Sequence, residues 1–223
     1  HYQAELSFLD YEYDHNIGDD PDHRTSAYSV LPMNLKVGLL NNADLQIVIN
    51  PYISQHTRGL EDSKVSGFGE MQTRLKVNLW GNDGGSTAMA VMPFLKFPTN
   101  DEDLGNDDME GGVIVPIGFQ LPMDWSMGLM TEFDFNHNGT ESGYHTEYIN
   151  TVTVSHGIVE NLSGYVEFFS KIIGESKAKW VGTVDTGLTY AVTDDIQLDL
   201  GVNIGVTRSA PDLNPFCGVS LRY

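Results

Sequence analysis

Apolar and polar residues alternate with a period of two through most of this 223-residue chain, and that pattern is the mark of strands with one apolar face. The stretch Asp195 to Thr207 shows it best. Ile196, Leu198, Leu200, Val202, Ile204 and Val206 fall on one face, and Gln197, Asp199, Gly201, Asn203, Gly205 and Thr207 on the other. Leu75, Val77 and Leu79 alternate with Arg74, Lys76 and Asn78, and Leu129, Thr131, Phe133 and Phe135 with Glu132 and Asp134. Gly, Asn, Asp and Pro clusters divide the chain into twelve such segments, near 2–13, 26–38, 44–56, 67–80, 86–97, 109–121, 125–136, 144–156, 162–173, 178–191, 195–207 and 212–223. Soluble strands cluster at roughly 5–6 residues and a tilted membrane strand needs roughly 9–11. Segments of this length predict strands that cross a bilayer.

The connections carry a second signal. Those after even-numbered segments are short: Leu39 to Ala43, Gly81 to Gly85, Pro122 to Asp124, Gly157 to Asn161 and Val192 to Asp194. Several after odd-numbered segments are longer, as in His15 to Thr25, Thr57 to Ser66 and Pro98 to Asp108. Outer-membrane barrels have this asymmetry of short periplasmic turns and long external loops, with an even strand count. The expected fold is all-β, one domain over residues 1–223: an up-and-down antiparallel transmembrane barrel of about twelve strands, with both termini periplasmic. Trp80, Trp125, Tyr190 and Tyr223 fall near the short-turn ends, and Tyr11, Tyr28, Phe97, Tyr144 and Trp180 near the loop ends, as aromatic girdles would. The last segment closes on Cys217, Val219, Leu221 and Tyr223, similar to the terminal signature that barrel insertion machinery reads.

Composition narrows the function. Twelve Lys and Arg stand against 31 Asp and Glu, a net charge of -19, and a polyanion such as nucleic acid finds no basic stripe to bind. The lone Cys217 permits no intrachain disulfide and no cysteine zinc cluster. Apolar runs such as Ala88 to Leu95 are under half the roughly 18 residues of a membrane helix. No basic stretch with an apolar core opens the chain at His1, so any secretory signal is expected to have been removed or never to have been there.

The stretch GFGEMQTRLKVNLWGNDGG from Gly67, then AVMPFLKFPTN from Ala90, GGVIVPIGFQLPMDWSMGLMTEFDF from Gly111 and VTDDIQLDLGVNIGVTRSAPDLNPFCGVSLRY from Val192, resembles the outer-membrane family of MetA-pathway phenol-degradation proteins, also called transporters. The resemblance implies a barrel that passes hydrophobic or aromatic small molecules. It brings no catalytic or binding residues with it.

A charge facing lipid at the midplane costs about 2–4 kcal/mol for Arg or Lys, so charged and strongly polar residues on the wet face of the strands should line the lumen. These are Lys36, Arg74, Lys76, Glu132, Asp134, Glu167, Asp185, Asp199, Asn203 and Arg222. Opposed across a closed barrel, they would either hold a field across an open pore or pair directly and stitch the interior shut. Gly118, Gly182, Gly187, Gly201 and Gly205 favour the pore, since they leave parts of the wall without side chains. The acidic loops offer hard oxygen ligands at Asp19, Asp20 and Asp22 and at Asp101, Glu102 and Asp103, a candidate weak Ca2+ site without EF-hand spacing. A solvated acidic surface is the plainer reading.

Ser155 and His156 are neighbours, but adjacent strand residues point to opposite faces and cannot form a nucleophile–base pair. His137 and His145 flank a short external loop. GNDGG at Gly81 lacks the Lys and the following helix of a phosphate loop and reads as a hairpin turn. The expectation is therefore a non-enzymatic outer-membrane channel for small molecules, without cofactor, whose partners are outer-membrane lipid, solute and the barrel insertion machinery. A closed loop-displaying barrel and, third, a lipid-modifying barrel enzyme are the alternatives.

Overall fold

The computed structural model describes residues 1–15, 23–59, 62–101, 104–105, 107–138, 142–174 and 178–223. Its strands are β1 (Tyr2–His15), β2 (Arg24–Val30), β3 (Met33–Leu40), β4 (Ala43–Ile49), β5 (Tyr52–Arg58), β6 (Ser63–Gly67), β7 (Met71–Trp80) and β8 (Thr87–Phe97). They continue as β9 (Glu110–Gln120), β10 (Trp125–His137), β11 (Tyr144–Val159), β12 (Leu162–Ile173), β13 (Lys179–Thr193), β14 (Ile196–Gly205) and β15 (Leu213–Arg222). Every pairing is antiparallel, and β15 returns to pair with β1, closing the sheet. β2 with β3, β4 with β5, and β6 with β7 are each one stave interrupted near its middle, so the fifteen strands make a barrel of twelve staves.

Lipid-side chemistry is written on the outside. Leu200 is 61% exposed, Phe135 53% and Leu79 53%, while Asp134 is 3% exposed and Gln46 3%. That distribution inverts a soluble protein's and suits a barrel whose outer face meets lipid. Trp80, Trp125, Tyr190 and Tyr223 are exposed at the short-turn end, and Tyr28, Tyr144 and Trp180 at the other. Short turns close as hairpins do. Met123 and Asp124 take φ of 60° and 59° and Asn161 66°, the left-handed conformations that match strand twist. The connection expected over Thr57 to Ser66 is shorter than its sequence suggested, because β5 runs to Arg58 and β6 begins at Ser63.

Four adjacent staves change phase on a single rung. On β1, Phe8 and Leu9 are both exposed, and the register against β15 shifts between Ser7 and Leu9, as a bulge requires. On the second stave Val30 and Leu31 are both exposed, and Leu31 takes φ 56°, strained for a bulky side chain. Pro32 follows, and Pro51 interrupts the third stave; neither has an N–H for the ladder. Gly69 sits in the break of the fourth, where a Cβ would meet Asn50 Cβ at 2.7 Å. Inward residues are therefore odd-numbered above the rung and even-numbered below it on staves two to four, where "above" means toward the long loops. Register between these staves is unchanged: Leu6 faces Met33 and Asp10 faces Ser29, Met33 faces Ile49 and Val30 faces Tyr52, and Ile49 faces Met71 and Ile53 faces Gly67.

Candidate functional site: the barrel lumen

Strand alternation puts the functional candidates on the face opposite the exposed apolar residues, and hydrogen bonds, ion pairs, strand register and cavity walls locate them. Lys36 pairs with Glu5. Arg74 donates through Nε and Nη2 to Gln72 at 3.0 and 2.7 Å, and Glu132, Glu5 and Asp134 lie within its electrostatic reach. Lys76 borders two cavities and forms no hydrogen bond or ion pair with the described residues. Asp134 Oδ2 is 3.6 Å from Lys96 Nζ. Glu132 stands between Ile114 and Ile149, and Glu167 accepts a hydrogen bond from Thr153. Asn203 donates to Asn214 at 2.7 Å, which donates in turn to Asp10 at 2.7 Å. Asp185 is 7% exposed, Asp199 lies against Gly218, and Arg222 lines the short-turn mouth.

Which charges meet decides whether the interior is stitched. Lys36 on β3 pairs with Glu5 on neighbouring β1, Lys171 on β12 with Glu147 on neighbouring β11 at 3.0 Å, and Lys96 on β8 with Glu110 on neighbouring β9 at 3.7 Å. The contact from Lys96 to Asp134 on β10 skips one stave, over Gly112, whose missing Cβ leaves room for the Phe94 ring and the Asp134 carboxylate. Among the described residues, every ion pair runs along the wall and none crosses the lumen.

What remains between the walls is a series of cavities. One of about 350 Å³ lies toward the short turns, bordered by Lys76, Asn78, Ala90, Pro116, Gly118, Gly128, Met130 and Thr151. A second, of about 600 Å³, lies toward the loops under Ser209 and Pro211 and is bordered by Glu12, Tyr165, Glu167, Phe169, Lys171, Val181, Thr183, Asp185 and Phe216. The glycines contribute less open wall than their sequence suggested. The Tyr165 ring lies over Gly187 and Gly201, the Phe216 ring over Gly201, and Pro211 and Ala210 over Gly205, each within 3.3 Å of where a Cβ would stand. Gly182 falls on the outward parity beside Trp180 and Val206. Only Gly118, of the five, faces empty space within 4 Å.

The loop acids resolve differently. Asp19, Asp20, Asp22, Glu102 and Asp103 lie outside the described residues. Asp101 serves the backbone: its carboxylate accepts the Phe68 N–H at 2.8 Å, and its own N–H donates to the Phe68 carbonyl at 2.9 Å. Thr99 Oγ1 accepts the Met71 N–H at 2.9 Å. These bonds satisfy the amides left open where β6 and β7 separate. Among the described residues no group of three His, Cys, Asp or Glu could hold a metal.

Ser155 faces Tyr165 across the ladder inside the wall, while His156 stacks outside on Trp125 at 4.5 Å. His137 packs edge-on against Tyr144 and sits 3.3 Å from Asp108, and His145 contacts Asn138 and Glu147.

Several lining residues went unread in the sequence. Lys96, Glu110, Glu147 and Lys171 had a usable signal, since each shares the inward parity of its strand. Met92, Phe94 and Ile114 are buried on the inner face, with Met130 packed on them. The run from Ala88 to Leu95 that holds Met92 and Phe94 is apolar on both faces, so parity there carries no information.

A closed antiparallel barrel with an apolar outer belt, aromatic rims and a polar, cavity-bearing lumen defines the class: an outer-membrane β-barrel. The family model described as "Putative MetA-pathway of phenol degradation" matches residues 1–223, and the chain belongs to that family. The NanC porin superimposes with a TM-score of 0.64 at 10% identity, over 98% of this chain and 100% of that one. The translocator domain of the autotransporter NalP from Neisseria meningitidis gives 0.65 at 6% identity, over 100% and 88%. At these identities the likeness is one of fold. No curated relative matches the chain.

Proposed function

We propose that this protein is a passive, non-enzymatic channel of the bacterial outer membrane for small molecules, with its short turns and both termini periplasmic and its long loops outside. The observation that carries the reading is the run of ion pairs along the wall, which leaves the lumen unbridged and its cavities in place. The family's link to phenol degradation supports small hydrophobic or aromatic solutes as cargo. The inner face suits them in part, because Met92, Phe94, Ile114 and Met130 form an apolar cluster on the wall of β8, β9 and β10, beside the charges of Lys96, Glu110 and Asp134. In this reading the barrel's partners are outer-membrane lipid, the solute and the insertion machinery.

Single-channel current in planar bilayers tests it, comparing the parent with a variant in which Arg74 and Lys76 are replaced by Ser. Steady conductance in both, with ion selectivity shifted toward cations in the variant, is the expected result. Silence in both, with folding confirmed by heat-modifiable gel migration, leaves a closed loop-displaying barrel instead.

A further inference from the structure

Three buried carboxylates of the interior have an oxygen without a hydrogen-bond partner: Glu110 Oε2, Asp134 Oδ1 and Asp185 Oδ1. The first two carboxylates share Lys96 at 3.7 and 3.6 Å. Among the described residues Asp185 has no cation partner, and the Thr183 hydroxyl is its side-chain hydrogen-bond partner. A buried charge without a counterion is costly and calls for a partner. Asp185 borders the 600 Å³ cavity, within the size range of small-ligand sites, roughly 300–1,000 Å³.

The lining says what that partner is. Glu12 and Glu167 add negative charge, and Lys171, the one cation bordering the cavity among the described residues, is held by Glu147 at 3.0 Å. An anion is therefore repelled. A hard metal ion would need several converging oxygens, and the described residues bring no such group together. The larger part of the remaining surface is aromatic and apolar, from Tyr165, Phe169, Phe216 and Val181, beside the neutral amides of Asn203 and Asn214. Tyr165 and Phe216 are laid against the wall by Gly187 and Gly201, and aromatic faces attract an ammonium through their quadrupole.

We propose that this cavity is a binding subsite for small organic ammonium ions with an aromatic or alkyl body, in which Asp185 accepts the ammonium N–H and Tyr165, Phe169 and Phe216 pack on the body. The subsite rests on the channel reading only in that the lumen must admit solute from one mouth.

Calorimetric titration of the detergent-solubilised protein with 2-phenylethylammonium and its neutral isostere 2-phenylethanol tests it. The ammonium should bind at least about tenfold more tightly, and Asp185→Asn should remove that preference. Val181→Phe narrows the cavity without touching a charge and should weaken the ammonium in a barrel that still folds. Equal binding of the two ligands to the parent, or a preference that survives Asp185→Asn, overturns the subsite. If Asp185→Asn does not fold, undiminished ammonium binding by Val181→Phe overturns it. Conductance on the same preparation separates the two readings. A conducting protein without ammonium preference keeps the channel and loses the subsite, whereas a silent protein with the preference keeps the subsite and loses the channel.

Discussion

The staves from β10 to β14 and the first four staves obey the same rule in two ways. From β10 to β14 one parity faces outward along the body of each strand, with Phe133, Val152, Phe168, Leu188 and Leu200 all exposed, and the register shifts fall only at the short-turn ends of β11 and β13. In the first four staves the outward parity reverses at the rung of Phe8, Leu31, Pro51 and Gly69. The difference teaches that lipid enforces apolarity residue by residue, while hydrogen bonding enforces phase between neighbours. A single reversed stave would break the ladder on both its sides. Four reversed together leave only two seams. One is the bulge between β1 and β15. The other lies beside β6, which has no pairing with β8, and there Asp101 and Thr99 bond the open amides.

Placing Arg on both sides of the rung tests the reversal most severely. Ile47 and Ile53 are both odd-numbered on the third stave, yet Ile47 shares the outward register of Leu35 and Ile53 the inward register of Ser29. Ile47→Arg should lose up to about 2–4 kcal/mol of folding free energy in vesicles, as Leu200→Arg should from the regular sector, whereas Ile53→Arg and Asn203→Arg should fold. Failure of Ile53→Arg beside success of Asn203→Arg would abolish the reversal. A smaller loss is expected from Gly69→Val, because the new side chain must displace Asn50 and Ile53. Urea unfolding should record about 1–3 kcal/mol, against little change for Gly118→Val, which enters empty space. Equal losses would make the rung no tighter than the regular wall. The least effect belongs to the seam: Asp101→Ala should cost about 1 kcal/mol and speed hydrogen exchange at the Phe68 amide. Unchanged exchange there would show that the seam is held without Asp101.

Twelve staves, their approximate limits and the apolar outer face were legible because the bilayer imposes period two and a minimum length, and both are local properties of sequence. The parity that separates Arg74, Glu132, Asp185 and Asn203 from their apolar strand neighbours is local in the same way. The reversal was half-written: Pro32 and Pro51 stand in the middle of segments that alternation alone runs straight through. Proline is no sufficient sign, since Pro93, Pro116 and Pro215 lie within β8, β9 and β15 with register undisturbed there. A proline is tolerated wherever its missing N–H points away from a ladder bond, and neighbours decide where that is. The same limit governs the lumen. Sequence determined the alternation along each strand, because that depends on the strand's own face. Tertiary structure alone decided that Lys96 serves two carboxylates while Asp185 has no cation among the described residues, and that Tyr165 and Phe216 cover glycines read as open wall, because those distances depend on how staves far apart in sequence are staggered when the sheet closes.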